Sequence, residues 1–195
     1  MTNSPSFDGR HIIIGVTGGI ACYKTADLVS TLVQSGARVD VLMTAAATKF
    51  IAPLTFSSLT GRAVFDSPFA ILEGHDPQHI RLAKNAHALL VAPCTMNMLS
   101  KLATGMADDP VSLVLAAIDR KNTPVLLAPS MNATMLSQPA TQRNIHTLKQ
   151  DGFTVLESDE GWQACKTVGK GRLLEPSHLL LALDAALNSN SCISS

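Results

Sequence analysis

Charge is scarce in this sequence, and neither sign is in excess. Only 15% of the 195 residues are charged, and Lys+Arg and Asp+Glu number 15 each, so the formal net charge is zero. No basic stripe is present, which argues against nucleic acid as a partner. No apolar run reaches the length of a membrane span. Met1 to Arg10 is polar and has no secretory apolar core. The four cysteines, Cys22, Cys94, Cys165 and Cys192, form no C-x-x-C pair. Neither a zinc site nor a redox dithiol is signalled, and scattered thiols suit a reducing cytoplasm. The ending Cys192-Ile193-Ser194-Ser195 lacks the aliphatic and basic residues of a prenylation signal and reads as a frayed tail. No fixed-period repeat, low-complexity run or linker divides the chain. One domain over residues 1–195 is expected, with a core from about 11 to 187 and flexible tails.

What the chain does have is apolar bulk, at 46%. That balance suits a sheet buried on both faces, or a subunit that buries surface against copies of itself. His11 to Val16, Arg38 to Met43, Ala88 to Ala92 and Val125 to Ala128 read as buried strands, with Phe153 to Leu156 as a fifth. Pro93 and Pro129 should end two of them, because proline cannot donate to a sheet ladder. Helical patterns run from Ile20 to about Gln34 and over Pro53–Leu59, Ile80–Asn85, Thr95–Ala103, Pro110–Ile118, Ala140–Gln150 and Pro176–Leu187. Thr44 to Phe50 reads as a short helix and Ala63 to Phe65 as an edge strand. Glu157 to Glu175 reads as a long polar loop. Strands alternating with helices predict a single α/β domain, a Rossmann-like doubly wound parallel sheet. In such sheets ligands bind at the carboxyl ends of the strands.

Several stretches fall at that edge. Gly15-Val16-Thr17-Gly18-Gly19 joins the first strand to the first helix, where backbone N–H groups can meet a phosphate. It matches neither G-x-G-x-x-G nor a P-loop, and no acidic residue follows the second strand, so a mononucleotide fits better than a dinucleotide. A tight turn using glycine for geometry alone explains it equally well. Thr44, Thr95 and Asn97 lie just past strands, where hydroxyl and amide groups reach a ligand or cap a helix. Pro129-Ser130-Met131-Asn132-Ala133-Thr134-Met135 follows the fourth strand and invites the same two readings for Asn132. His75 and His79 are four apart, but Pro77 between them spoils a shared helical face, so metal is not expected. His79 could serve as a general base, or be an exposed loop histidine. Cys165 lies in the long loop with Lys166, Lys170 and Arg172 close by, a setting that could lower a thiol pKa or attract an anion.

In chain order these pieces resemble one family. Gly15-Val16-Thr17-Gly18-Gly19-Ile20-Ala21, His79-Ile80-x-Leu82, Ala92-Pro93-x-Thr95-x-Asn97, Pro129-x-Met131-Asn132-x-x-Met135 and Ala164-Cys165-x-x-x-Gly169-x-Gly171-Arg172 are similar to the flavin-dependent cysteine decarboxylases. The likeness covers about residues 11 to 187 and is nearest to the branch acting on phosphopantothenoylcysteine. It implies FMN as cofactor, with its phosphate at Gly18, Gly19 and Ile20 near Thr44. The ring would sit by Thr95, Met96, Asn97, Met98 and Ser130, and Phe50 would reach a neighbour's flavin. His79 would be the catalytic base and Cys165 the proton donor. Asn132 would hold the substrate carboxylate beside Met135, with Lys170 and Arg172 toward an anionic substrate group. A homotrimer, or a dodecamer built as a tetramer of trimers, is implied, in the cytoplasm. Two departures bear on the substrate: Lys166-Thr167 stands where the family more often has glycine and an acidic residue, and Ser130 replaces a common alanine. The related enzymes that decarboxylate a peptide's C-terminal cysteine share most of these residues but usually not the Ala-Cys…Gly-Arg loop. A non-catalytic regulatory subunit is a third reading, disfavoured by His79, Asn132 and Cys165 together; a flavin prenyltransferase fits Pro129-Ser130-Met131-Asn132 poorly. No synthetase domain follows, so the ligation that makes the substrate would fall to another chain.

Overall fold

The β-branched run Ile12-Ile13-Ile14 fixes the centre of the molecule, because a strand apolar on both sides is stable only with both faces covered. The computed structural model describes residues 7–69, 77–162, 164, 166 and 168–191. His75, Cys165 and the tail from Cys192 lie outside these residues. Strand β1 (His11–Val16) leads into helix α1 (Cys22–Gln34) and then β2 (Arg38–Met43), a parallel βαβ unit. After a single turn of helix at Ala47–Lys49 come α2 (Pro53–Thr60), α3 (Gln78–Asn85) and β3 (Ala88–Cys94). Helices α4 (Met96–Ala103) and α5 (Pro110–Ala117) precede β4 (Val125–Pro129). Then come α6 (Ala133–Ser137), α7 (Pro139–Gln150), the short β5 (Thr154–Val155), β6 (Asp159–Trp162), β7 (Val168–Arg172) and α8 (Pro176–Ser191).

The five main strands form one parallel sheet in the order β2-β1-β3-β4-β5. Alternate residues of β1 enter opposite cores. Ile12, Ile14 and Val16 pack with Leu28, Leu32, Leu179 and Leu183 of α1 and α8. Ile13 packs on the other face with Leu82, Leu99, Val111, Val114 and Leu148 of α3, α4, α5 and α7. The doubly wound sheet is therefore present as the alternation of strands and helices requires.

Three local expectations need correction. Strand β3 does not stop before Pro93 but continues to Cys94, with its register to β4 shifting between Val91 and Cys94. The irregular register absorbs a residue that cannot donate to the ladder. Residues 63–65 contribute only a parallel bridge from Phe65 to Leu42. The expected loop 157–175 contains an antiparallel hairpin, β6 against β7. No helix among the described residues is long and apolar enough to cross a membrane.

Candidate functional site

The chain runs from β1 to β2 on one side of the sheet and returns to β3 on the other, so the carboxyl ends of β1 and β3 flank a switch point. Thr17 spans it. Its hydroxyl donates to the Pro93 carbonyl at 2.6 Å and accepts from the Thr95 N–H at 3.1 Å. Above this floor opens a cleft of about 960 Å³, walled by the segments that follow β1, β2, β3 and β4 and by the β6–β7 hairpin.

The first wall is the glycine turn. A Cβ on Gly18 would come 2.5 Å from the Ala46 Cβ and 2.9 Å from its carbonyl carbon, so this glycine is needed for the segment after β2 to close against the turn. A Cβ on Gly19 would meet only ordinary contacts, Thr95 Cγ2 at 3.7 Å and Pro93 Cγ at 3.8 Å. Packing therefore explains the first glycine and not the second. Helix α1 begins here with no side-chain cap and no acidic residue in its first turn. The Cys22 and Lys24 N–H groups already donate to the Gly19 and Ala21 carbonyls, at 3.0 Å each, so the positive end of the dipole is what this end offers an anion. Thr44 caps the turn after β2, its hydroxyl accepting from the Ala47 N–H at 3.2 Å.

The second wall is the start of α4, where the Thr95 hydroxyl accepts from the Met98 N–H at 3.4 Å as an N-cap. Farther along, Lys101 donates to Asp108 at 2.5 Å and Asp109 at 2.8 Å. Asp109 also caps α5 through the Val111 and Ser112 N–H groups. Partial burial works against the Lys101 ammonium, but the hydrogen bonds it donates to both carboxylates outweigh that and raise its pKa. The same bond holds Asp108 below the ordinary carboxylate range.

The third wall joins the β4 exit to the hairpin. The Asn132 Oδ1 accepts from the Thr134 N–H at 2.8 Å, so Asn132 caps α6 as its residue type allows, and it also faces the cleft. The Met131 N–H donates to the Gly171 carbonyl at 2.9 Å. Gly171 has φ +120°, a conformation side chains rarely adopt, and a Cβ on Gly169 would lie 3.1 Å from the Ala133 Cβ. The Gly-x-Gly-Arg sequence thus lets the strap lie close on the Asn132 turn and then present Arg172. Arg172 Nη2 donates to Glu175 Oε1 at 2.6 Å, and Lys24 Nζ donates to the same oxygen at 2.9 Å. Trp162, 64% exposed, lines the cleft from β6.

The cleft brings together Gly18, Gly19, Ile20, Thr44, Thr95, Met96, Asn97, Met98, Ser130, Asn132, Met135 and Arg172. It does not include His79, Phe50 or Lys170 of the same chain. His79 is not in a loop: α3 starts at Gln78, so His79 lies in its first turn, half-buried. Phe50 is exposed, just after the helical turn 47–49, and Lys170 is exposed on β7. Thr17, Lys24, Lys101, Asp108 and Trp162 line the cleft without having been singled out in the sequence. Lys24 did carry a signal: it sits four residues before Leu28 and eight before Leu32, on the stripe that α1 turns to the core.

Comparison with known proteins follows the same lines. The model of the Flavoprotein family matches residues 2–188. The coenzyme A biosynthesis bifunctional protein CoaBC of Bacillus subtilis is 43% identical over 173 residues, covering 89% of this chain and 42% of that protein. Its Haemophilus influenzae counterpart is 41% identical over 182 residues, covering 90% and 43%. The chain thus spans less than half the length of these curated relatives. Among solved structures, the FMN-dependent cysteine decarboxylase SpaF superposes with TM-score 0.79 at 26% identity, covering 95% of this chain and 99% of that one. A PPC decarboxylase mutant complexed with pantothenoylaminoethenethiol shares the fold, with TM-score 0.80 at 24% identity over 90% and 97% of the two chains.

Proposed function

The chain belongs to the flavoprotein family, and from that premise we propose that it is an FMN-dependent cysteine decarboxylase. Its substrate is phosphopantothenoylcysteine and its product phosphopantetheine, in coenzyme A biosynthesis. The carrying observation is the single cleft with an uncapped helix N-terminus on one wall and Asn132 and Arg172 on another. The curated relatives named for coenzyme A biosynthesis, alike over most of this chain, support the choice of substrate.

The residues present fit FMN. The Gly19 cradle, which a Cβ would partly fill, and the start of α1, with no side-chain cap and no acidic residue in its first turn, suit its phosphate. Thr44 stands near by, and Thr95, Met96, Asn97, Met98 and Ser130 offer a wall for its ring. When bound, FMN supplies two-electron oxidation of the substrate thiol, so that sulfur can accept the electrons left as CO₂ departs. His79 takes the proton released at the thiol. Asn132, beside Met135, holds the leaving carboxylate and Arg172 faces the phosphate, while Lys170, exposed on β7 outside its own chain's cleft, adds positive charge nearby on the same strap. Cys165 would return a proton to the decarboxylated carbon, and the two electrons taken up by FMN would go back to the product, so that CO₂ alone is lost.

His79 and Phe50 lie outside their own cleft, while Ile20, Tyr23, Phe50 and Leu54 expose apolar surface. We therefore assign a homotrimer, alone or as a dodecamer built as a tetramer of trimers, in which a neighbour supplies His79 and Phe50. A reducing cytoplasm suits the free, buried Cys22 and Cys94. Residues 11–187 would form one flavoprotein unit. The test is release of CO₂ from phosphopantothenoylcysteine by purified, FMN-loaded protein; no release refutes the reading. The similarity to SpaF, an FMN-dependent cysteine decarboxylase, supports cysteine decarboxylation without fixing what carries the cysteine, and in a second reading the cysteine is a peptide's C-terminal residue. Release from such a peptide and not from phosphopantothenoylcysteine would favour it.

A further inference from the structure

The charges around the cleft fall into two groups. Lys101 meets Asp108 and Asp109, leaving one excess negative charge. Lys24 and Arg172 share Glu175, leaving one excess positive charge. An anionic substrate end is drawn to the second group. Resting on the assignment of Arg172 to the substrate's phosphate, we propose that Glu175 and the buried Lys24 are positioning residues that aim Arg172 into the cleft.

The geometry restrains Arg172 from two sides. One oxygen, Glu175 Oε1, accepts from both Arg172 Nη2 and Lys24 Nζ. Lys24 is only 7% exposed, and its ammonium also donates to the Leu173 carbonyl at 3.2 Å. It therefore fastens both the residue after Arg172 and the carboxylate that grips Arg172 to helix α1. Across the hairpin, Gly161 gives the arginine room: a Cβ there would stand 3.1 Å from Nη1 and 3.2 Å from Cδ. The hydrogen bond from Lys24 holds Glu175 below its ordinary range, in keeping with the close approach of the two groups. Burying an ammonium carries a desolvation cost. An apolar residue would tie the hairpin to α1 without that cost, but could not orient a guanidinium.

The experiment compares phosphopantothenoylcysteine with its dephosphorylated form, pantothenoylcysteine. Glu175→Gln should raise KM for the phosphorylated substrate about tenfold, the effect of losing one oriented charge-assisted hydrogen bond. Its kcat and FMN content should change less, while the melting temperature should fall somewhat because the buried Lys24 loses its charged partner. KM for the dephosphorylated substrate should change far less. Arg172→Ala should erase the same discrimination, and Arg172→Ala with Glu175→Gln should be no worse than Arg172→Ala alone. Gly161→Ala, which pushes the arginine without touching the ion pair, should cause a smaller selective rise in KM. The inference is overturned if Glu175→Gln affects both substrates equally, or if its effect adds in full to that of Arg172→Ala. An Arg172→Ala variant with unchanged KM refutes the arginine's assignment and this inference with it. A wild-type protein inactive on both substrates refutes the proposed function itself.

Discussion

The backbone N–H of Met131 donates to the carbonyl of Gly171 at 2.9 Å. This bond joins the turn that carries Asn132 to the strap that carries Arg172. Two segments forty residues apart in the chain thereby form one wall of the cleft. A substrate held at both ends would span that bond.

The two cleft glycines should separate folding from cofactor binding. Gly18→Ala forces a Cβ to 2.5 Å from Ala46 and should destabilise the protein by about 1–3 kcal/mol, the usual cost of overpacking. Gly19→Ala meets only ordinary contacts and should melt near wild type. It should nonetheless lose flavin, since its methyl enters the phosphate cradle. Denaturant melts and bound-flavin absorbance check both outcomes.

Asn132→Asp should keep the cap on α6, because aspartate accepts from the Thr134 N–H as well as asparagine does. It should also set a charge against the substrate carboxylate. KM should rise about tenfold or more, as like-charge juxtaposition costs several kcal/mol. FMN content should be unchanged. Steady-state kinetics beside flavin quantitation provide the check.

Acid stability should depend on Asp40, which does not line the cleft. Burial would raise its pKa, but hydrogen bonds from His11 at 2.6 Å and Arg62 at 2.5 Å outweigh that and lower it below 3.8. The folded chain therefore binds this proton more weakly than the unfolded chain. Its stabilisation is complete above the ordinary carboxylate range and is lost as pH falls through the lower folded value. Asp40→Asn should cost about 3 kcal/mol at neutral pH, as for one partner removed from a buried pair. The gap to wild type should narrow in acid below 3.8. Denaturant melts across pH measure it.

If the active site is shared between subunits, two inactive variants should rescue each other. Co-expressed His79→Asn and Asn132→Asp chains should form mixed trimers in which some clefts have both native residues. Activity should recover to roughly the fraction that random mixing allows. No recovery from verified mixed trimers would place His79 and Asn132 in the same chain's site.

Much of the fold was legible because β1 and β4 are apolar runs and could only be buried. The hairpin was not, since Asp159-Glu160-Gly161 and Gly169-Lys170-Gly171 have low strand propensity and no apolar alternation. Their glycines answer tertiary demands: room for Arg172, approach to Ala133 and a φ of +120°. Pro93 looked like a strand end because the rule considers the ladder alone, and a register shift satisfied it otherwise. The two readings of Asn132, Thr95 and Thr44 proved compatible: each caps a turn or helix and each lines the cleft. His79 and Phe50 were visible as residue types, but their distance from the cleft was not.

Mass spectrometry of phosphopantothenoylcysteine after incubation with the FMN-loaded protein tests the central claim most directly. The account predicts a product lighter by CO₂ alone, and, for Cys165→Ser, a product lighter by CO₂ and two hydrogens. Substrate recovered unchanged from wild-type protein with FMN bound would contradict it.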